Sequence, residues 1–203
     1  GRGYADQVER SYSARRTEVG VMAVLVNGRA FYLDLESIQG YNPTHLLSYV
    51  QYYEAMNEAR QDYHWIDPFP TIFPESQLLN MLGVRYILVD ARIPESRYDF
   101  QLIAEGRDPV YRDDHVVIYE NTGAFPRGWI VHDVRPNNNG EGLALLASGS
   151  VDGHEVAFVD GEIPPVLALD PAIASRSSSG ESVEIIDHGD DSMRARVYAA
   201  APG

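Results

Sequence analysis

The sequence predicts an α+β fold in which a mixed β-sheet is covered by helices. Three patterns support this class. Apolar side chains recur at helical spacing over residues 46–56. A short helix that ends at a glycine runs directly into an apolar strand over residues 75–89. Residues 193–199 alternate as in a strand, with Arg194 and Arg196 on one face and Ala195 and Val197 on the other.

The first predicted strands form a hairpin near the start of the chain. Residues 19–26 are a branched apolar run, and residues 30–35 alternate as a returning strand. Asn27 and Gly28 lie between them and favour a two-residue turn. A helix for the first arm is the alternative interpretation.

A helix is predicted next. Asn42 can accept hydrogen bonds from the free amides of a helix start, and Pro43 suits the first helical position. The periodic apolar residues extend this helix to about residue 59. Its tyrosines have two interpretations, sugar stacking or packing against a sheet with their hydroxyls at the rim. These tyrosines are Tyr49, Tyr52 and Tyr53.

An aromatic loop is predicted over residues 63–74, because three prolines within seven residues exclude regular secondary structure. The loop carries every type of group that a carbohydrate platform uses, and these side chains are the candidate glycan-binding residues. They are Tyr63, His64, Trp65 and Asp67. The alternative is a buried plug that covers an edge of the core.

The next segment predicts a helix and a central strand. Leucines at helical spacing mark a short helix over residues 75–82, which Gly83 ends in the left-handed conformation. Residues 84–89 are almost continuously apolar. Such a strand is expected in the middle of a sheet that is covered on both faces.

A second hairpin is predicted over residues 109–121. Asp113 and Asp114 lie at its turn, and His115 begins the returning strand. Two carboxylates beside a histidine resemble a metal cluster, but adjacent residues of a tight turn rarely converge on one ion. Aspartates are also ordinary turn residues, so we predict no metal site here.

The remaining elements are four strands and a helix. Alternation predicts a strand near a sheet edge over residues 128–134, and leucine spacing predicts a helix over residues 141–148. Residues 155–159 form a further strand between turn signals. Residues 182–187 and 193–199 form a strand pair.

These patterns divide the chain into three parts. Residues 1–171 form the α+β domain. Residues 172–180 are small and serine-rich, which is typical of a linker or mobile loop. Residues 181–203 form a smaller β-rich part.

Composition argues against several classes of function. All 16 basic residues are arginine, and 30 carboxylates bring the net charge to −14. Such a chain repels nucleic-acid phosphates and anionic lipid, so no nucleic-acid partner is expected. Its apolar runs are far shorter than the roughly 20 residues that cross a bilayer, so no direct membrane insertion is expected. Its first residues lack the apolar segment of a signal peptide. Cysteine is absent, which excludes disulfides, thiolate catalysis and zinc–sulfur sites.

Four segments resemble, in the same order, the large extracytoplasmic region of YfhO-like bacterial membrane proteins. Residues 40–43 read Gly-Tyr-Asn-Pro and lead into a helix. Residues 80–89 are similar to the family pattern Leu-Asn-x-x-x-Val-Arg-Tyr-Ile/Val-Leu. Residues 110–121 resemble a hairpin that ends in Tyr-Glu-Asn, and residues 125–131 resemble its Pro-Arg-Ala-Trp strand, with glycine in place of alanine.

The family is similar to the glycosyltransferases of GT-C type, which use polyprenyl-phosphate sugars. The resemblance implies a place on the extracytoplasmic face of the bacterial cell membrane, with the transmembrane portion of the same parent chain as partner. It also implies that the last strand pair opens an antiparallel β-sandwich and that the catalytic carboxylate lies outside this chain. The role left to these residues is to support the membrane part or to position a cell-envelope glycan acceptor.

No catalytic, metal-binding or cofactor-binding motif is found in the sequence. It contains no nucleophile elbow, no phosphate-binding glycine loop with lysine and no His-Glu-x-x-His motif, and its six histidines are scattered singly. Two alternatives to the family-based function remain. One is a self-standing carbohydrate- or peptide-binding module, favoured by an open aromatic groove in the 63–73 loop. The other is a soluble hydrolase, favoured by two carboxyls that converge in a deep cleft.

Overall fold

The structure is a computed structural model, and it confirms the α+β class: its helices are accompanied by several small sheets. The chain divides into two compact units, Gly1–Ala124 and Phe125–Gly203. The described residues are 38, 46–57, 76–92, 104, 107–163, 180–189 and 192–200.

The first unit contains two helices and three strands in its described part. Helix α1 spans Leu47–Asn57 and α2 spans Gln77–Met81. Strand β1 spans Tyr86–Asp90, β2 spans Tyr111–Arg112 and β3 spans Val116–Glu120. The predicted helix over residues 42–59 is therefore confirmed from Leu47, whereas its predicted start and the 19–35 hairpin lie outside the described residues.

These strands form an antiparallel sheet in the order β1-β3-β2, which confirms the 109–121 hairpin. Ile87 pairs with Tyr119, and Val89 pairs with Val117. All four side chains are at most 5% exposed. Because residues two apart in a strand share a face, these pairs form one buried side of the sheet.

The predicted central position of β1 is wrong for the described part of the sheet, where β3 lies in the middle. Burial along β1 alternates, because Ile87 and Val89 are buried while Leu88 is only half-buried and Tyr86 is 49% exposed. The apolar run therefore forms a strand with one buried face. Its exposed tyrosine ring lies below the Arg85 guanidinium, 5.5 Å from the ring centroid, which gives this apolar side chain a polar neighbour.

The predicted glycine stop after α2 is confirmed. Gly83 has φ of 67°, and its N–H donates to the Asn80 carbonyl over 2.9 Å. This bond satisfies a carbonyl that the helix end would otherwise leave free. The helix itself is short, and its buried Leu78 and Leu79 hold it to the unit.

The second unit begins with a parallel strand pair. Strand β4 spans Asp133–Pro136 and β5 spans Val156–Val159, in parallel register. Between them lie a short 3₁₀ helix at Asn138–Gly140 and helix α3 at Glu141–Ala147. A parallel pair needs such a crossover, because a tight turn can join only antiparallel neighbours.

The predicted helix over residues 141–148 and strand over 155–159 are confirmed, but the strand predicted over 128–134 is displaced. The observed strand starts at Asp133, which pairs with Val156, the first residue of β5. Residues before Asp133 have no partner in β5, because the chain turns through Asp152 and Gly153 just before that strand. Alternation alone did not reveal where the partner strand begins.

Helix α3 lies close to β5 at Gly142. A Cβ atom built at this buried glycine would lie 2.5 Å from Cγ of Phe158 and 2.8 Å from its Cβ. Real Cβ contacts are longer, so only glycine allows this approach of helix and strand.

The last elements form an antiparallel hairpin. Strand β6 spans Ser182–His188 and β7 spans Met193–Tyr198, which confirms the predicted pair. Every residue of β7 is exposed, and Arg196 donates to Glu184 across the pair over 2.9 Å. Most of the predicted linker, residues 172–179, lies outside the described part of the chain.

Candidate functional site

The predicted glycan-binding residues Tyr63, His64, Trp65 and Asp67 lie outside the described residues. Their assignment stays a prediction.

The helix tyrosines, by contrast, lie among the described residues, and the hydroxyl groups of two of them donate to backbone carbonyls of the same unit and not to a sheet. Tyr53 is fully buried. The Tyr49 hydroxyl donates to the Ile38 carbonyl, and the Tyr52 hydroxyl donates to the Leu78 carbonyl over 2.7 Å. Burial raises the pKa of both phenols, because desolvation disfavours the phenolate.

Two asparagines that are 41 residues apart in the chain meet in the first unit. Asn121, only 4% exposed, donates its side-chain amide to Asn80 Oδ1 over 2.8 Å and to the Val84 carbonyl over 2.9 Å. Its own Oδ1 accepts from the Gly123 N–H. A Cβ at Gly123 would lie 3.0 Å from Asn80 Nδ2, so the turn fits closely around the pair. This polar cluster joins the end of α2 to the end of β3, and its hydrogen bonds indicate a structural role.

Asp113 organises the β2–β3 turn. Its Oδ1 accepts from the N–H groups of His115 and Val116 at 2.7 and 2.8 Å, and its Oδ2 accepts from the Tyr111 hydroxyl at 2.9 Å. These bonds, led by the one from His115, lower the pKa of the carboxyl. The carboxylate is thus engaged in turn chemistry, as the sequence predicted.

An aromatic corner, formed by Phe125, Trp129 and His154, opens the second unit. The His154 ring stacks on buried Phe125 with centroids 3.4 Å apart and planes 24° apart. Trp129 stands edge-on to both rings, at 5.1 Å from Phe125 and 6.2 Å from His154. Its indole N–H donates to the Gly153 carbonyl over 3.0 Å, which fixes its orientation.

A histidine–carboxylate pair lies elsewhere in the same unit. His132 Nε2 is 2.9 and 3.1 Å from the two carboxylate oxygens of Glu181. The two side chains are 9% and 14% exposed. Glu181 also accepts from the Ala200 N–H over 2.7 Å. The pair therefore links the segment before β4 to the start of β6 and the end of β7, which meet at the open end of the hairpin, and its low exposure suits a structural role better than proton transfer to a bound substrate.

The sequence did not reveal the aromatic corner, although two of its three residues could have been found. Phe125 and Trp129 lie four residues apart beside Pro126, a pattern that indicates local aromatic packing. His154 comes from the turn before β5, and no local pattern connects it to them.

The described residues hold no catalytic centre that can be recognised from its chemistry. No group of three or more histidine, cysteine, aspartate or glutamate side chains in this part of the chain could hold a metal ion. Among the same residues, no helix is long and apolar enough to cross a membrane. The aromatic corner, which carries the exposed His154, is a candidate binding surface in the described part of the chain.

Comparisons with known proteins give no relative for the chain. No family model, no curated protein and no solved structure matches it.

Proposed function

We propose that this chain is an extracytoplasmic domain of a polytopic bacterial membrane protein that resembles the lipid-linked-sugar glycosyltransferases. In this role it supports the membrane part or positions a cell-envelope glycan acceptor, and it has no active site of its own. Its partner is the transmembrane portion of its parent chain.

The observation that carries the proposal is the contact between Asn80 and Asn121. They belong to two of the four family-like segments, and their side chains share a hydrogen bond of 2.8 Å. A fold that depends on this hydrogen bond would need an asparagine in both segments. The contact therefore explains why the two motifs would occur together. Motif residues that hold the fold together also suit a domain whose chemistry lies elsewhere.

The family assignment is tested on the full reading frame. We expect hydrophobic spans upstream of Gly1. Cleavage by added protease should remove this domain from spheroplasts but leave it intact in sealed inside-out vesicles. A reading frame without hydrophobic spans would refute the assignment, and so would protection of the domain in spheroplasts.

The absence of an active site is tested on the isolated chain. Incubation with a panel of soluble glycosides and glycosyl phosphates should give no turnover above buffer. Turnover that one Asp→Asn or Glu→Gln substitution abolishes would instead identify the chain as a hydrolase.

A further inference from the structure

The aromatic corner leaves one ring face available to a ligand. Phe125 covers one face of the His154 ring at a centroid distance of 3.4 Å, yet His154 is exposed. We take the ring face turned away from Phe125 as the face that is open to a ligand. Trp129 is half-buried, and its plane makes an angle of 65° with the imidazole. The two rings form adjacent walls of an open corner.

The corner is held rigid by bonds that do not use its open face. The Trp129 indole N–H is engaged with the Gly153 carbonyl. The His154 backbone N–H donates to Asp152 Oδ1 over 2.8 Å, which fixes the turn that carries the ring. Rings that are already oriented lose little conformational entropy when a ligand stacks on them.

The charge around the corner selects among ligands. Asp152 and Glu155 flank His154 in the chain and are exposed, and the chain as a whole carries a net charge of −14. Anionic ligands such as nucleotides or sugar phosphates are repelled by this field. A sugar ring offers an apolar face to an aromatic wall and hydroxyl donors to carboxylates, so both features of the corner suit it.

We propose that the corner formed by Trp129 and His154 binds a pyranose ring of a neutral glycan, which stacks on the open face of His154. The choice of a glycan rests on the proposed function, whereas the geometry of the corner does not. The corner does not include the candidate residues Tyr63, His64, Trp65 and Asp67.

Trp129 can report on binding directly, because the chain has only two tryptophans. In a Trp65→Phe background, the fluorescence of Trp129 is measured while chitotetraose or maltotetraose is added to the 203-residue chain. We expect a saturable change in fluorescence for at least one of the two sugars, with a dissociation constant of about 0.1–1 mM. Binding should be this weak because the free energy of a few contacts only slightly exceeds the entropy cost of ordering the sugar.

Variants at His154 separate stacking from other effects. His154→Ala should weaken binding about tenfold, because one stacked ring typically contributes about a factor of ten in affinity. His154→Phe keeps a flat ring and should bind within about threefold of the parent. The control is His115→Ala, which removes an exposed histidine of the other unit and should leave the affinity unchanged.

Several outcomes would overturn the inference. One is the absence of a saturable change at about 10 mM sugar, where a 1 mM site would be about nine-tenths filled. Equal loss in His154→Ala and His154→Phe would exclude stacking, and a stronger response to choline than to either sugar would exclude the ligand class. A full reading frame without membrane spans, combined with normal sugar binding, would instead refute only the proposed function.

Discussion

Asn121 and Asn80 share a side-chain hydrogen bond of 2.8 Å that ties the end of strand β3 to helix α2. The Asn121 backbone N–H adds a bond of 2.7 Å to the Arg85 carbonyl, just before β1. One residue therefore fixes both the helix and the strand that follows it.

Removal of the Asn121 side chain should destabilise the first unit. Asn121→Ala removes a side chain that is only 4% exposed and leaves the partly buried Asn80 Oδ1 and Val84 carbonyl without its amide donor, and such losses typically cost about 1–3 kcal/mol. Urea denaturation measures the change in the free energy of unfolding. Asn138→Ala, at an exposed asparagine, is the control and should change stability by less than about 0.5 kcal/mol. Additive losses of stability in Asn80→Ala and Asn121→Ala would show that the two side chains do not stabilise the fold through each other.

Gly83 should tolerate asparagine better than valine. Its φ of 67° is a conformation that costs an ordinary residue about 1–2 kcal/mol, and a β-branched side chain resists it most. Asparagine visits this region more readily, so Gly83→Asn should lose less stability than Gly83→Val in the same urea experiment. Equal losses of stability would mean that the positive φ at Gly83 does not determine which residues this position tolerates.

Two neighbouring substitutions in β1 should differ. Ile87 is 5% exposed and pairs with buried Tyr119, so Ile87→Ala should cost about 2–5 kcal/mol. Leu88 is only half-buried, so Leu88→Ala should cost clearly less. If chemical denaturation gave the reverse order, the buried face of β1 would have been assigned to the wrong side.

Gly142→Ala should destabilise the second unit although alanine favours helices. The new methyl group would lie 2.5 Å from Cγ of Phe158, and overpacking of this kind costs about 1–3 kcal/mol. Phe158→Ala removes Cγ but keeps Cβ, which would lie 2.8 Å from the new methyl group, so Gly142→Ala should cost less in that background without becoming neutral. Thermal unfolding followed by circular dichroism can measure all four proteins, and a similar loss in both backgrounds would exclude the clash.

The charge of Asp113 should stabilise the β2–β3 turn above its unfolded pKa of 3.8. Its pKa is lowered in the fold, so its contribution is complete above that value and disappears as the pH falls through the lower folded-state pKa. The stability difference between the parent chain and Asp113→Asn, which keeps one oxygen acceptor, should therefore be constant near pH 6 and shrink in acid. A difference that grew in acid would contradict the direction of the shift.

Local patterns predicted most of these elements, because periodicity and turn residues act over a few neighbouring positions. The glycine stop at Gly83 and the turn at Asp113 are examples, since each depends on its own backbone conformation or adjacent amides. The start of β4 depends on where β5 begins, and the contact of Gly142 with Phe158 depends on the crossover between them. Such relations join residues distant in sequence, so a single sequence does not display them.

The same limit applies to the candidate site. The aromatic corner needs His154 beside Phe125, a contact that no spacing rule predicts. The residues that the sequence did nominate are Tyr63, His64, Trp65 and Asp67, and their role stays a prediction because they lie outside the described residues.

The arginines of β7 have a consequence for assembly. Met193, Val197 and Tyr198 are each more than half exposed, which by itself would favour strand-to-strand aggregation. If β7 strands of two molecules paired antiparallel about Ala195, each Arg194 would lie opposite an Arg196 of the other copy, and like charges in that position repel. The two arginines therefore disfavour pairing between the β7 strands of two molecules. The bond between Glu184 and Arg196 shows that β7 pairs with a strand that carries the opposite charge.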